Sequence, residues 1–167
     1  DYAVLFLQGG AALQFSMIPA NLLAASGKSA AYIQTGVWGK KAIAEAKKEG
    51  DVNVVYDAGE SNFNHVPGSG DYRVSDDSAY LYFCNNETIQ VVQFHDEPAC
   101  PAGVPLLCDA SSYFMHKTVE INKYGWMYAS AQKNAGPAGE TGVIIHRDLQ
   151  DRGSKPLPGY QKYKNHA

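Results

Sequence analysis

The chain has 167 residues, of which 45% are hydrophobic and 19% charged, with a formal charge of −3. This is the composition of one soluble α/β-sized domain. The weak acidity gives no reason to expect nucleic acid or an anionic membrane surface as a partner, and no apolar run approaches the roughly 20 residues of a membrane span. Asp1-Tyr2 leads straight into the apolar run Ala3–Leu7, and no signal peptide is visible. No initiator Met precedes it, and the last residues, Tyr160 to Ala167, have no terminator character. Both ends therefore read as cuts inside a larger protein. Cys84, Cys100 and Cys108 are odd in number and form no CxxC pair, which fits a reducing, cytoplasmic compartment rather than a disulfide scaffold. His65, His95, His116, His146 and His166 have no ligand spacing, so no metal site is expected.

Residues 3–8 read as a buried strand broken by Gly9-Gly10. Ala11 to Ala25 carries Phe15, Ile18 and Leu22 at helical spacing and reads as a helix, with Pro19 an irregularity inside it. Ala30–Gln34 is a second strand, Val37–Glu49 an amphipathic helix stopped by Gly50, and Val52–Tyr56 a third strand. Residues 58–78, rich in Gly, Ser, Asn and Asp, read as a long surface loop. Tyr80–Cys84, Leu106–Cys108, Trp126–Ala131 and Gly142–His146 follow as strands, with a Pro/Gly loop over 95–104 and a mixed connection over 117–124. Continuous apolar strands separated by helices predict a three-layer α/β fold, its mostly parallel sheet covered by helices on both faces. Ligands of such sheets bind beyond the carboxyl ends of the strands. Gly9-Gly10, Asn86 to Thr88, Asp109 and Gln132-Lys133 all follow strand ends, so the map predicts that they gather at one edge.

Lys133 lies between an apolar strand and the turn Asn134-Ala-Gly-Pro-Ala-Gly139, and Asp109 closes the run Leu106-Leu107-Cys108. A lysine and an aspartate so placed suit pyridoxal 5′-phosphate (PLP). The amine can form an imine with its aldehyde, and a carboxylate can hold the pyridinium proton that makes the ring an electron sink. Gly9-Gly10-Ala11-Ala12 opens a helix, and N–H groups at a helix N-terminus form an anion site suited to a phosphate.

With these motifs in hand, the chain resembles the phosphoserine aminotransferases, fold-type I PLP enzymes. The resemblance rests on Leu7-Gln-Gly-Gly-Ala-Ala-Leu-Gln-Phe15, Tyr32-Ile-Gln-Thr-Gly-Val-Trp38, Asn86-Glu-Thr88, Cys108-Asp-Ala-Ser-Ser112 and Ala131-Gln-Lys-Asn-Ala-Gly-Pro-Ala-Gly139. It spans essentially the whole chain, and the last stretch is its most specific part. The resemblance implies that residues 1–167 are part of a PLP-binding large domain truncated at both ends, lacking an N-terminal segment and a C-terminal small domain.

It further implies that Lys133 is the Schiff-base lysine and the acid/base, partly desolvated, and that Asp109 pairs with the pyridine nitrogen. Ala11 and Ala12 would offer backbone N–H groups to the phosphate, and Gln132 a side-chain donor. Trp38 would stack on the ring, and Thr88 would bond the ring hydroxyl. Ser111 and Ser112 would support Asp109. The implied reaction is transamination of 3-phosphohydroxypyruvate with L-glutamate, giving O-phospho-L-serine and 2-oxoglutarate in serine biosynthesis, by a homodimer.

The sequence departs from that pattern in places. Ala12 stands where relatives often carry Ser, Cys or Arg, which removes a side-chain phosphate contact. Val91 stands where Gly is expected, which matters if the backbone there turns with φ > 0. His116-Lys117 replaces Ser-Arg or Ser-Lys and reads as a solvated pair. Substrate carboxylates and phosphates call for Arg, yet Arg73, Arg147 and Arg152 lie in no assigned motif. The substrate arginines are therefore expected outside this chain, and the chain alone is expected to be inactive or nearly so. Two other readings stay open. One is another fold-type I enzyme such as serine–glyoxylate aminotransferase or a cysteine desulfurase, the latter disfavoured because Gln132 rather than His precedes Lys133. The other is a PLP-free scaffold fragment.

Overall fold

The computed structural model describes residues 1–152 and 155–167. Its centre is a seven-stranded sheet in the order β1-β9-β8-β7-β4-β2-β3. The strands are β1 (Tyr2–Leu7), β2 (Ala30–Gln34), β3 (Val52–Asp57), β4 (Leu81–Cys84), β7 (Leu106–Asp109), β8 (Trp126–Ser130) and β9 (Thr141–His146). The small strands β5 (Asn86–Glu87) and β6 (Val92–Gln93) form a separate antiparallel hairpin. β3, β2, β4, β7 and β8 pair in parallel, and β9 runs against both β8 and β1. β1 therefore points the same way as the parallel strands, and the carboxyl ends of six strands share one edge.

Helices α1 (Gly10–Leu22) and α2 (Val37–Ala46) cross between β1, β2 and β3. Both lie on one face. Phe15, Ile18 and Leu22 of α1 and Ile43 and Ala46 of α2 pack there on Leu5, Tyr32, Tyr82, Leu107, Trp126, Tyr128 and Ile145. The alternate strand residues, Ile33, Leu81, Phe83, Leu106, Cys108 and Met127, face the other way. Among the described residues that second face is covered by loops rather than helices, through Val74, Phe94, Val104, Tyr113 and Tyr124. The three layers and the mostly parallel sheet are as expected, while the third layer of this chain is irregular. Between β4 and β7, Pro98, Pro101, Gly103 and Pro105 break any helix, and between β7 and β8 the chain forms turns and one short 3-10 turn, Ile121–Lys123. Burial on both faces accounts for strands that read as unbroken apolar runs.

Helix α1 continues through Pro19. A mid-helix proline removes one hydrogen bond, and here the last turn is closed by Leu23 and Ala24, whose N–H groups both donate to the Pro19 carbonyl at 2.9 Å. After β9 the chain returns over the same layer. Tyr163 is fully buried against Trp126, ring centroids 4.1 Å apart, and its hydroxyl donates to Gln14 Oε1 at 2.5 Å.

Val91, in the loop of the β5–β6 hairpin, has φ 58° and is 86% exposed. The positive φ that would matter for this departure is therefore present. A β-branched residue in the left-handed region is strained by roughly 1–2 kcal/mol, whereas glycine is not. Glycine also enlarges the unfolded ensemble, which offsets part of that gain. Val91→Gly should therefore stabilise the protein by about 1 kcal/mol or less. Urea unfolding checks this: a midpoint that moves down would refute the strain argument.

Candidate active site

At the carboxyl edge of the sheet, one pocket is lined by Ala11, Trp38, Cys84, Asn86, Asp109, Ser111, Ser112, Gln132 and Lys133. They come from the ends of several elements: Ala11 from the first turn of α1, Trp38 from that of α2, Cys84 and Asp109 from the last residues of β4 and β7, Lys133 from the turn after β8. The parallel sheet makes this convergence unavoidable, because it brings those strand ends to one side.

Asp109 is buried at the base of the site. Its Oδ1 accepts the Ser111 N–H at 2.9 Å. Burial pushes its carboxyl above the ordinary range, while Ser111, the Tyr128 hydroxyl and the Lys133 charge pull it back. Tyr128 is buried too, and its hydroxyl shares a 2.8 Å hydrogen bond with that of Tyr82. Sequence reading named Ser111 but not this tyrosine pair. Its only signal was parity: Tyr82, Leu107, Asp109 and Tyr128 alternate onto one sheet face once the strand pairing is known. Ser112 does not bond Asp109. Its hydroxyl donates to the Asn86 carbonyl at 2.7 Å and so ties the hairpin to the end of β7.

The Lys133 ammonium donates to Thr88 Oγ1 at 2.5 Å. Thr88 thus belongs to the lysine end of the site. Lys133 and Gln132 are exposed, so the partial desolvation expected of Lys133 is not supplied by the described residues. Cys84, which lines the pocket, has its thiol pushed up by burial and is held as a neutral group. His116 and Lys117 lie elsewhere: Lys117 donates to the His95 carbonyl at 3.1 Å and sits 5.6 Å over the Tyr113 ring. Among the described residues no arginine lines the pocket. Arg147 follows β9, at the opposite edge of the sheet, where it pairs with Asp1 at 3.1 Å.

The two helix N-termini at this edge differ. Gly9, preceding α1, has φ 91°, and Gly10 has φ 63°. Both angles suit glycine, and a Cβ on Gly9 would stand 2.6 Å from Leu13 Cβ. Among the described residues no side chain caps α1, and its first turn holds no acid. Its leading N–H groups are left free for an anion. Ala11 faces the pocket, while Ala12 is exposed and does not line it. Helix α2, by contrast, has its N-terminus filled by hairpin side chains.

Residues 1–165 match the family model for class-V aminotransferases. The chain belongs to this family. It is 60% identical over 166 residues to the phosphoserine aminotransferase of Rhodopirellula baltica, covering 99% of this chain and 44% of that protein. Among solved structures, the phosphoserine aminotransferase of Bacillus circulans subsp. alkalophilus superposes with a TM-score of 0.93 at 42% identity, over 98% of this chain and 45% of that one. A PLP-bound phosphoserine aminotransferase from Trichomonas vaginalis superposes with a TM-score of 0.88 at 39% identity, over 99% of this chain and 46% of that one. The chain therefore spans rather less than half the length of these relatives.

The residues present suit PLP by their own chemistry. The open α1 N-terminus offers N–H donors to a phosphate. A buried carboxylate short of a cation suits a pyridinium nitrogen. A primary amine stands across the same pocket.

Proposed function

We propose that the protein containing this chain is a PLP-dependent phosphoserine aminotransferase. It exchanges an amino group between L-glutamate and 3-phosphohydroxypyruvate, giving 2-oxoglutarate and O-phospho-L-serine for serine biosynthesis. We assign it to the cytoplasm as a homodimer. The reading rests above all on one observation: Lys133 and the buried Asp109 line a single pocket beside the uncapped N-terminus of α1.

PLP, when bound, supplies an aldehyde for covalent capture of amines and a protonated ring that delocalises negative charge. The chain's own residues do the rest. Lys133 Nζ would hold the cofactor and would move the proton at the substrate Cα. Asp109 would hold the proton at the ring nitrogen, its negative charge placed where the electron sink needs it. The α1 N–H groups and the Gln132 amide would hold the phosphate. Trp38 would back the ring, and the Thr88 hydroxyl, already on Lys133 Nζ, would bond the ring hydroxyl.

Substrate anions need arginines that this pocket lacks, so those belong to the remainder of the protein or to a partner subunit. Phe6 and Val4, 74% and 59% exposed on the edge strand β1, support further coverage of this domain in the whole protein. Glyoxylate-specific relatives remain the competing class. Assaying the whole protein with glutamate and 3-phosphohydroxypyruvate against serine and glyoxylate decides between them. Turnover of the first pair alone is expected, and none by the isolated 18.1 kDa chain. Preference for glyoxylate would overturn the proposed substrates, and full activity of the isolated chain would overturn the placing of the arginines.

A further inference from the structure

Glu87 is fully buried, and its two carboxylate oxygens take separate backbone donors from the first turn of α2. Oε2 accepts the Trp38 N–H at 2.9 Å, and Oε1 accepts the Gly39 N–H at 2.7 Å. Gln90, in the same hairpin, accepts the Val37 N–H through its Oε1 at 3.2 Å. One hairpin thus satisfies three of the donors that a helix start leaves open.

The glycines around α2 make room for this. A Cβ on Gly36 would stand 2.5 Å from Gln90 Oε1 and 2.6 Å from Glu87 Cδ, and one on Gly39 would stand 3.2 Å from Glu87 Oε1. A helix is ordinarily capped by a Ser, Thr, Asp or Asn of its own N-cap position. Here the acceptor comes from some fifty residues away in sequence, and burying a carboxylate is costly unless it is fully hydrogen-bonded. The helix dipole and the two N–H bonds stabilise that charge. Burial nonetheless raises the Glu87 carboxyl, with the Gly39 and Trp38 donors opposing it.

What distinguishes this cap from a local one is what it connects. Trp38, whose amide it holds, lines the pocket. Thr88, the next residue after Glu87, receives the Lys133 ammonium. Lys41 lies 4.5 Å over the Trp38 ring and steadies it from within α2.

We infer that Glu87 is a positioning residue that fastens the Trp38 ring and the Thr88 hydroxyl together as one unit facing Lys133. By filling the N-terminus of α2 with the protein's own carboxylate, it also leaves α1 as the helix start open to the cofactor phosphate. The functional consequence rests on the PLP reading of the pocket, whereas the holding of Trp38 does not.

The test uses the whole protein and Glu87→Gln. The amide keeps the shape but sets an NH₂ group against a backbone N–H, so one bond becomes a clash of donors. Without cofactor, the Trp38 signal is the fluorescence difference from a Trp38→Phe variant, and acrylamide should quench it more readily in Glu87→Gln. With PLP, affinity should fall about tenfold, the equivalent of one charge-assisted hydrogen bond, and the visible circular dichroism of the bound cofactor should weaken. Gln90→Ala, which removes a neutral acceptor only, should move the same readouts less, and it carries the test should Glu87→Gln not fold. Unchanged Trp38 quenching and unchanged cofactor dichroism, with only a lower melting point, would overturn the inference. Should the unmodified protein take up no PLP, the cofactor reading falls, and the quenching experiment still decides whether Glu87 holds Trp38.

Discussion

Lys133→Ala should lower kcat by about 10³-fold or more, because it removes both the covalent anchor and the group that moves the proton. Lys133→Arg should do no better. The guanidinium keeps the positive charge but stays protonated at working pH and cannot supply the amine. The comparison separates chemistry from electrostatics, since the arginine variant can still reach the Thr88 hydroxyl that now takes the lysine donor. Peptide mass spectrometry after PLP and borohydride should find a phosphopyridoxyl group on Lys133 in the unmodified protein and no such adduct in either variant. An adduct on Lys40, Lys41 or another lysine, with activity retained in Lys133→Ala, would remove Lys133 from the mechanism.

Asp109→Asn should lower kcat by about 10²–10³-fold, the scale seen when one preorganised electrostatic partner is lost. Its effect on stability has the opposite sign in the cofactor-free protein. Burial raises the Asp109 carboxyl in the folded state. The folded protein therefore holds that proton at pH values where the unfolded chain has released it. Stability contributed by this group is lost as pH rises from the unfolded pKa through the folded one, and it stays lost at neutral pH. Asparagine is neutral throughout and bears no such cost.

Cofactor-free Asp109→Asn should thus melt above the parent at neutral pH, with the difference shrinking as the solution is acidified below the carboxylate range. Adding PLP should reverse the order, because only the carboxylate pairs with a ring cation. Thermal melts at two pH values, with and without PLP, check all of this. A cofactor-free Asp109→Asn that melts lower at neutral pH would mean that its hydrogen bonds outweigh its charge. Glu87 is raised by burial as well, but it is common to both proteins and cancels in the comparison.

The sequence by itself determined the order of the main elements, the mostly parallel sheet and the edge at which the polar motifs gather. Those follow from local signals: apolar runs of strand length, glycines and prolines between them, and a helical period in α1 and α2. Val91 stood out only against the family pattern, which has Gly there, and its φ of 58° is what the structure added. Lys133 and Asp109 were legible because their chemistry is carried by the residue type and by its place at the end of a strand.

Tertiary structure decided the rest. That Glu87 caps α2 depends on a hairpin meeting a helix that lies far from it in sequence, and no local window contains both. The Tyr82–Tyr128 pair behind Asp109 depends on strand register, because a slip of one residue would turn both rings to the opposite face. The exposure of Lys133 and the bonding of Ser112 to the hairpin rather than to Asp109 depend on which backbone groups pack nearby. Residue type sets what a side chain can do, whereas long-range packing sets which partners it meets and how far water is kept from it.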